Sequence, residues 1–308
     1  MGFVTDEAIE LCCTDGVRLG GHLWRGAGTA PLGAIVINPA TGVLARYYHR
    51  YARYLAEAGF AVVTYDYRGI GASRPPTLRG CRFRWRDWGE RDFDAALRFA
   101  LALRLPGLVQ VVGHSIGGFL PGFSPEAHRI DRMLTVGAQY AWWRDYAELH
   151  RRRLFLKWHV AMPALTLLFG YFPGRRLGWL EDLPAGVANE WSFRRARMEA
   201  SYPTAERAAI LARFAAVRAT ILAIGMSDDA IATPQAIDRT LRYFAGARKT
   251  HVLLAPHDLE MAEIGHFGLF HDRHRDGFWR HSLAFLREGR NAWPFAELPP
   301  PIALRDLS

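Results

Sequence analysis

Cysteine is scarce in this chain. Cys12, Cys13 and Cys81 are the only three in 308 residues. Two of them are adjacent, so they lay out no disulfide framework, and no C-x-x-C pair offers a metal site. That usage favours a reducing compartment, and a cytoplasmic location is expected. Lysine is scarcer still: only Lys157 and Lys249 occur, so the rest of the 39 basic residues are arginines. Long apolar runs are also missing. The longest uncharged stretch, residues 158–174, is short for a membrane span and contains Pro163 and Pro173, so it is not read as a transmembrane helix. The first seven residues lack the basic-then-apolar order of a signal peptide. Asp6 stands where myristoylation of Gly2 would require Ser or Thr. Internal repeats and low-complexity blocks are absent.

What remains is globular in composition, with 50% hydrophobic and 22% charged residues, which excludes disorder as the main state. The net charge is +9, but the arginines are scattered. The densest runs, Arg151-Arg152-Arg153 and Arg194-Arg195 with Arg197, are short and sit in no nucleic-acid motif. No nucleic-acid partner is expected; the charge leaves room for a weak contact with an anionic membrane surface.

Short apolar runs alternate with helical periods along most of the chain. Ala8–Cys13 and Val17–Trp24 flank the turn Thr14-Asp15-Gly16 as a hairpin. The runs at 34–37, 60–65, 109–113, 133–137, 220–225 and 250–254 read as strands. Helical patterns fill 47–58, 88–103 and 235–244, with a last helix from about Arg273 to Leu286. Such alternation signals a parallel sheet with crossover helices, an α/β fold. It breaks between about 140 and 214, which holds no strand-like run. The expected organisation is therefore a core of residues 1–139 and 215–308 with a helical insertion at 140–214. The tail from Trp293, including Pro299-Pro300-Pro301, reads as an irregular wrap.

The strongest chemical signal is Gly113-His114-Ser115-Ile116-Gly117. It follows the β-branched run Val109–Val112 and precedes a helical stretch, the context of a nucleophile elbow. The serine must occupy a strained turn, so its neighbours two residues away must be tiny. A helix N-terminus then points free N–H groups at the site. A serine hydroxyl needs a base, and His266, flanked by Gly265 and Gly268 beyond the last strand, fits better than His257 or His271. The base needs an acid. Two carboxylates follow the strand at 220–225, and Asp229 is preferred over Asp228 because of Ile231 and Pro234 downstream. The oxyanion donors are the N–H of Ile116 and one from the loop Asn38–Val43, where Thr41 is favoured with Ala40 close behind. Asp66-Tyr67-Arg68-Gly69-Ile70-Gly71 has neither G-x-G-x-x-G spacing nor a P-loop lysine, and reads as a structural turn.

On these residues the chain resembles the α/β-hydrolase superfamily over nearly its whole length. Within it, the chain looks like the monoacylglycerol-lipase-like and serine-aminopeptidase-like group, in particular a bacterial subgroup of predicted hydrolases. The resemblance implies an eight-stranded, mostly parallel sheet with flanking helices, a helical lid after the sixth strand, and a Ser–His–Asp mechanism that uses neither metal nor cofactor. It departs from the family at Asn38-Pro39-Ala40, where His-Gly is common. The expected substrate is a small acyl compound, a carboxylic ester of a medium or long chain, received by lid aromatics such as Trp142, Trp143, Trp158, Phe169, Tyr171, Phe172 and Trp179. An amidase or aminopeptidase on the same triad would need lid carboxylates, and Asp145, Glu148, Glu181, Asp182, Glu190 and Glu199 are on offer. A ligand-binding protein without turnover is the third reading.

Overall fold

The computed structural model describes residues 3–28 and 30–299; Gly2 and, in the expected tail, Pro300 and Pro301 lie outside the described residues. Eight strands form one sheet: β1 (Val4–Cys12), β2 (Arg18–Gly26), β3 (Ala34–Asn38), β4 (Ala61–Tyr65), β5 (Val109–His114), β6 (Arg132–Val136), β9 (Thr220–Met226) and β10 (Arg248–Leu254). Their order is β1-β2-β4-β3-β5-β6-β9-β10. Only β2 runs against its neighbours; every other pairing in the sheet is parallel. The two remaining strands, β7 (Tyr171–Phe172) and β8 (Leu183–Pro184), form a separate two-residue ribbon.

The central strands carry continuous apolar runs because both faces of the sheet are covered. In β3, Ala34 and Val36 pack into one buried cluster, while Ile35 and Ile37 pack into the other. This is the two-residue period of a strand expressed on two cores at once. One face is covered by the helix His49–Glu57 and the C-terminal helix Arg280–Glu288. The other is covered by the helical stretch Trp85–Ala102 and by residues of the excursion between β6 and β9.

That excursion contains the helices Glu148–Phe155, Met162–Phe169, Ala185–Ser192 and Thr204–Ala216. The β7–β8 ribbon corrects the expectation of no strand there; two residues a side are too few to show a periodicity. The helix Thr204–Ala216 runs through the expected boundary at 214. It seats Phe214 against Phe119 and Phe123 beneath the sheet's helical face. Trp293 of the tail is buried and stacks on Phe278, and Glu297 bridges to Val252 of β10. All three cysteines are free.

Candidate active site

In parallel α/β sheets, ligands gather outside the carboxyl ends of the strands. Here β3 and β5 end side by side, with Asn38 opposite Gly113, so the loop after β3 lies against the turn after β5. Ser115 sits on that turn at φ 55°, ψ −126°, a conformation that costs a non-glycine residue about 1–3 kcal/mol. Its N–H is anchored to the Val136 carbonyl at 2.9 Å. The flanking glycines are sterically required. A Cβ on Gly117 would lie 2.3 Å from the Asn38 oxygen, and one on Gly113 would lie 2.4 Å from the Gly118 Cα.

The helix expected after Ser115 is one turn, Ile116–Phe119, and continues as a tighter turn, Leu120–Phe123, that contains Pro121. So short a helix has little macrodipole. What it offers is local: the Ile116 N–H, unpaired among the described residues. In the loop after β3 the Thr41 N–H is likewise unpaired, whereas the Ala40 N–H is engaged by the Tyr48 hydroxyl at 3.0 Å. Of the two donors left open by the sequence, Thr41 is the one with a free hydrogen.

The structure brings His266 and Asp229 together. His266 Nδ1 lies 2.6 Å from Asp229 Oδ2, and both side chains are buried. The other Asp229 oxygen accepts the N–H groups of Ile231 (2.8 Å) and Ala232 (3.0 Å). Burial opposes ionisation of Asp229, but attraction to His266 and these hydrogen bonds outweigh it and hold the carboxyl below its ordinary range. Gly137, at φ 55°, leaves room for the pair: a Cβ there would stand 3.2 Å from His266 Cε1. Asp228 has a different task. Its Oδ2 accepts the N–H groups of Ile264 (2.7 Å) and Gly265 (3.0 Å), fixing the loop that presents His266. The next helix, Pro234–Tyr243, is capped by Thr233 and not by Asp228. His257 is exposed beside Asp258, and His271 is exposed near Tyr47.

Ser115 Oγ shares a cavity with His266 and Asp229. Among the described residues its hydrogen-bond partner is the Gln139 amide, at 3.4 Å, and not the His266 ring. His114 was not singled out in the sequence, since the second position of the elbow motif carries no spacing signal. It is fully buried, with Nδ1 2.7 Å from the Tyr48 hydroxyl and Nε2 2.8 Å from the His266 carbonyl. Tyr48 takes its hydrogen from Ala40 and so donates its own to Nδ1; Nε2 then carries the proton and donates to His266. Burial, with His266 nearby, pushes the His114 pKa down to about 3, which keeps the ring neutral as this chain of bonds requires. The loop after β3, the elbow and the His266 loop are thus tied through one imidazole.

The cavity encloses about 330 Å³. Trp85, Trp158, Trp179 and Trp191 wall it, with Lys157 and Arg153 beside them. Of the lid aromatics expected there, Trp158 and Trp179 line it; Trp142, Trp143, Phe169, Tyr171 and Phe172 do not. A larger open depression, about 680 Å³, lies elsewhere among paired charges such as Arg98 and Asp94 and touches none of these groups. The turn after β4 is structural, as its sequence suggests. Asp66 accepts the N–H groups of Ala45 and Ala72, and Arg68 is buried between Asp92 and Asp15. Cys13 lies against Asp92, its thiol pushed up to about 12 chiefly by burial. Among the described residues no three His, Cys, Asp or Glu side chains converge as a metal site requires, and no helix is long and apolar enough to cross a membrane.

No curated protein matches the sequence. Solved structures do share the fold. They include DcsB, solved with a substrate analogue (15% identity, 92% of this chain against 99% of that one, TM-score 0.61). A second is an esterase from Exiguobacterium antarcticum (15%, 92% against 100%, 0.58). A third is the esterase domain of a Rhodothermus marinus protein (18%, 95% against 99%, 0.54). At these identities the likeness is one of fold. The sequence itself matches the model of the alpha/beta hydrolase family over residues 33–281, and with this sheet behind it the chain belongs to that family.

Proposed function

We propose that the protein is a serine hydrolase that cleaves a carboxylic ester of a lipophilic acyl group, as in the monoacylglycerol-lipase-like branch of the family. The observation that carries this reading is the short contact between His266 and the buried Asp229, set in one cavity with a serine held at φ 55°. As substrate enters, the Ser115 hydroxyl leaves the Gln139 amide for His266 Nε2. His266 takes its proton while Oγ attacks the carbonyl carbon. The Ile116 and Thr41 N–H groups receive the oxyanion. His266 then protonates the leaving alcohol, and an acyl-enzyme on Ser115 remains. Water, deprotonated by His266, releases the acid. Asp229 holds the imidazole in the right tautomer and stabilises its charged form.

The helical excursion serves as the lid, and its tryptophans supply an apolar acyl pocket. The charges of that pocket favour an ester over a peptide amino terminus. None of the carboxylates Asp145, Glu148, Glu181, Asp182, Glu190 and Glu199 lines it. Asp145 is spent on Arg239, Asp182 on Arg74 and Glu199 on Arg197.

The test is labelling with a fluorophosphonate probe beside a Ser115→Ala control, followed by p-nitrophenyl esters of graded length. Labelling confined to the wild type is expected, with turnover rising from acetyl to medium chains. Ser115→Ala should lose on the order of 10⁴–10⁶ in kcat. A Ser115→Ala protein with ordinary turnover overturns the mechanism.

A further inference from the structure

One of the two lysines in the chain stands in the wall of this cavity. Lys157 Nζ lies 4.4 Å from the ring centre of Trp158 and 4.3 Å from that of Trp179. The two indoles meet nearly edge to face, at 81°, so the ammonium occupies the corner between them. Ring faces attract a cation but accept no strong hydrogen bond, and they displace water from it. One helical turn earlier is Arg153, also lining the cavity. Like charges four apart on a helix repel. Burial first, and Arg153 second, lower the Lys157 pKa below its ordinary value. Among the described residues neither cation has a carboxylate within 4 Å. The two acids that do line the cavity are committed elsewhere, Asp229 to His266 and Asp228 to the Ile264 and Gly265 N–H groups. The same wall buries the Trp85 and Trp158 indole N–H groups with no acceptor among the described residues. Around the lid, Arg239, Arg194 and Arg74 are paired with acids, while exposed arginines such as Arg144, Arg152, Arg176 and Arg195 have no carboxylate partner among the described residues. Lys157 is half-buried in its indole corner and Arg153 is exposed beside it; a pocket built only for a neutral acyl chain has no use for an unpaired ammonium held between its tryptophans.

We infer that the substrate carries an anionic group, a carboxylate or a phosphate, in addition to the bond that is cleaved, and that Lys157 and Arg153 are its counter-ions. The tryptophan wall then takes the apolar part of the molecule and the cations fix its charged end, which sets the distance between anion and scissile carbonyl.

The inference deepens the hydrolase reading, on which it rests for its chemistry, but its binding arm is independent of turnover. On the Ser115→Ala protein, binding of decanoate, decyl phosphate and decanol is followed by tryptophan fluorescence. The anions should bind about tenfold or more tighter than the alcohol, and the advantage should shrink at about 0.5 M salt. It should be lost with Lys157→Gln, diminished with Arg153→Gln and kept with Lys157→Arg. A preference for decyl phosphate assigns the phosphate; one for decanoate assigns the carboxylate. In the active protein, the ratio of kcat/KM for a p-nitrophenyl ester ending in a carboxylate to that for its neutral equivalent of equal length should fall roughly tenfold with Lys157→Gln, through KM. Equal binding of anion and alcohol overturns the inference, even if Ser115 is labelled. So does a preference that Lys157→Gln leaves unmoved in a protein whose circular dichroism and melting temperature match the wild type. Loss of labelling and turnover with the anion preference intact overturns the hydrolase reading and leaves the anion site standing.

Discussion

Asp228 and Asp229 differ by one peptide bond and serve different loops. The turn after β9 sends the Asp229 carboxylate inward to His266, where the Ile231 and Ala232 N–H groups hold its second oxygen. It sends Asp228 sideways to the backbone that precedes His266. Their replacements should therefore differ in kind. Asp229→Asn leaves the shape intact but offers His266 the wrong partner, and kcat on a p-nitrophenyl ester should fall by about 10⁴. Asp228→Ala frees two loop N–H groups and lets the imidazole drift. A displacement of about 1 Å is worth up to roughly 10² in kcat, with a smaller loss than for Asp229→Asn as the checkable contrast. The sequence favoured Asp229 only through its downstream neighbours, because either aspartate can reach the site until the turn's hydrogen bonds choose. Ser115 and His266 stood out because glycines flank them; sterics demand Gly113 and Gly117, whereas Gly265 is favoured by its φ of 63° and has open space around it. His114 and Gln139 were not, because a buried polar contact leaves no periodicity or spacing in the chain.

At the scale of elements, strands buried on both faces announce themselves, and β3, β4, β5, β6 and β9 fall within a residue or two of their apolar runs. Helix ends were harder to read. The stretch expected from Trp88 starts at Trp85 and widens over Trp88–Phe93; the last helix begins regularly only at Arg280, after a tight turn and a widened one at Asp272–Trp279. Widened turns keep nearly helical dihedrals while shifting which side chains face inward, so they blur a 3.6-residue pattern without breaking it. The elbow is the most constrained junction. Gly117→Ala would press a methyl onto the Asn38 and Pro39 carbonyls and should cost about 1–3 kcal/mol or more by urea unfolding, with activity lost as the loop carrying Thr41 is displaced. Tyr48→Phe removes one hydroxyl that serves both Ala40 and His114. Leaving two buried groups unpaired should cost about 1–3 kcal/mol, measured the same way.

For the molecule as a whole, the sheet order and its single antiparallel strand follow the family resemblance, while the course of the chain between β6 and β9 does not. That segment is stabilised by aromatic stacking and arginine pairs, which have no fixed spacing. Stability against pH is a property of the whole molecule. The buried His114 has its pKa pushed from the ordinary 6.5 to about 3, and His49 and His274 to about 4. The folded state keeps these rings neutral while the unfolded chain protonates them. Below pH 6.5 the unfolded state therefore binds more protons, and stability falls as pH falls, down to the folded values. The fully buried His114 contributes at most about 1.4 kcal/mol per pH unit over that window. Urea unfolding at several pH values between 7 and 4 should show this decline, and His114→Gln should flatten it by up to one proton's worth. A slope unchanged by His114→Gln would exclude the buried neutral ring.

The indole corner around Lys157 has a practical consequence. Apart from the terminal amine, an amine-directed reagent has two side chains to find, and one of them faces the place where substrate is expected. Isotopic methylation would give Lys157 a resonance displaced by aromatic ring currents, with Lys249 on β10 as an internal reference in the same spectrum. Occupancy of the pocket could then be watched directly, by a reporter that evolution left almost alone in its chemistry.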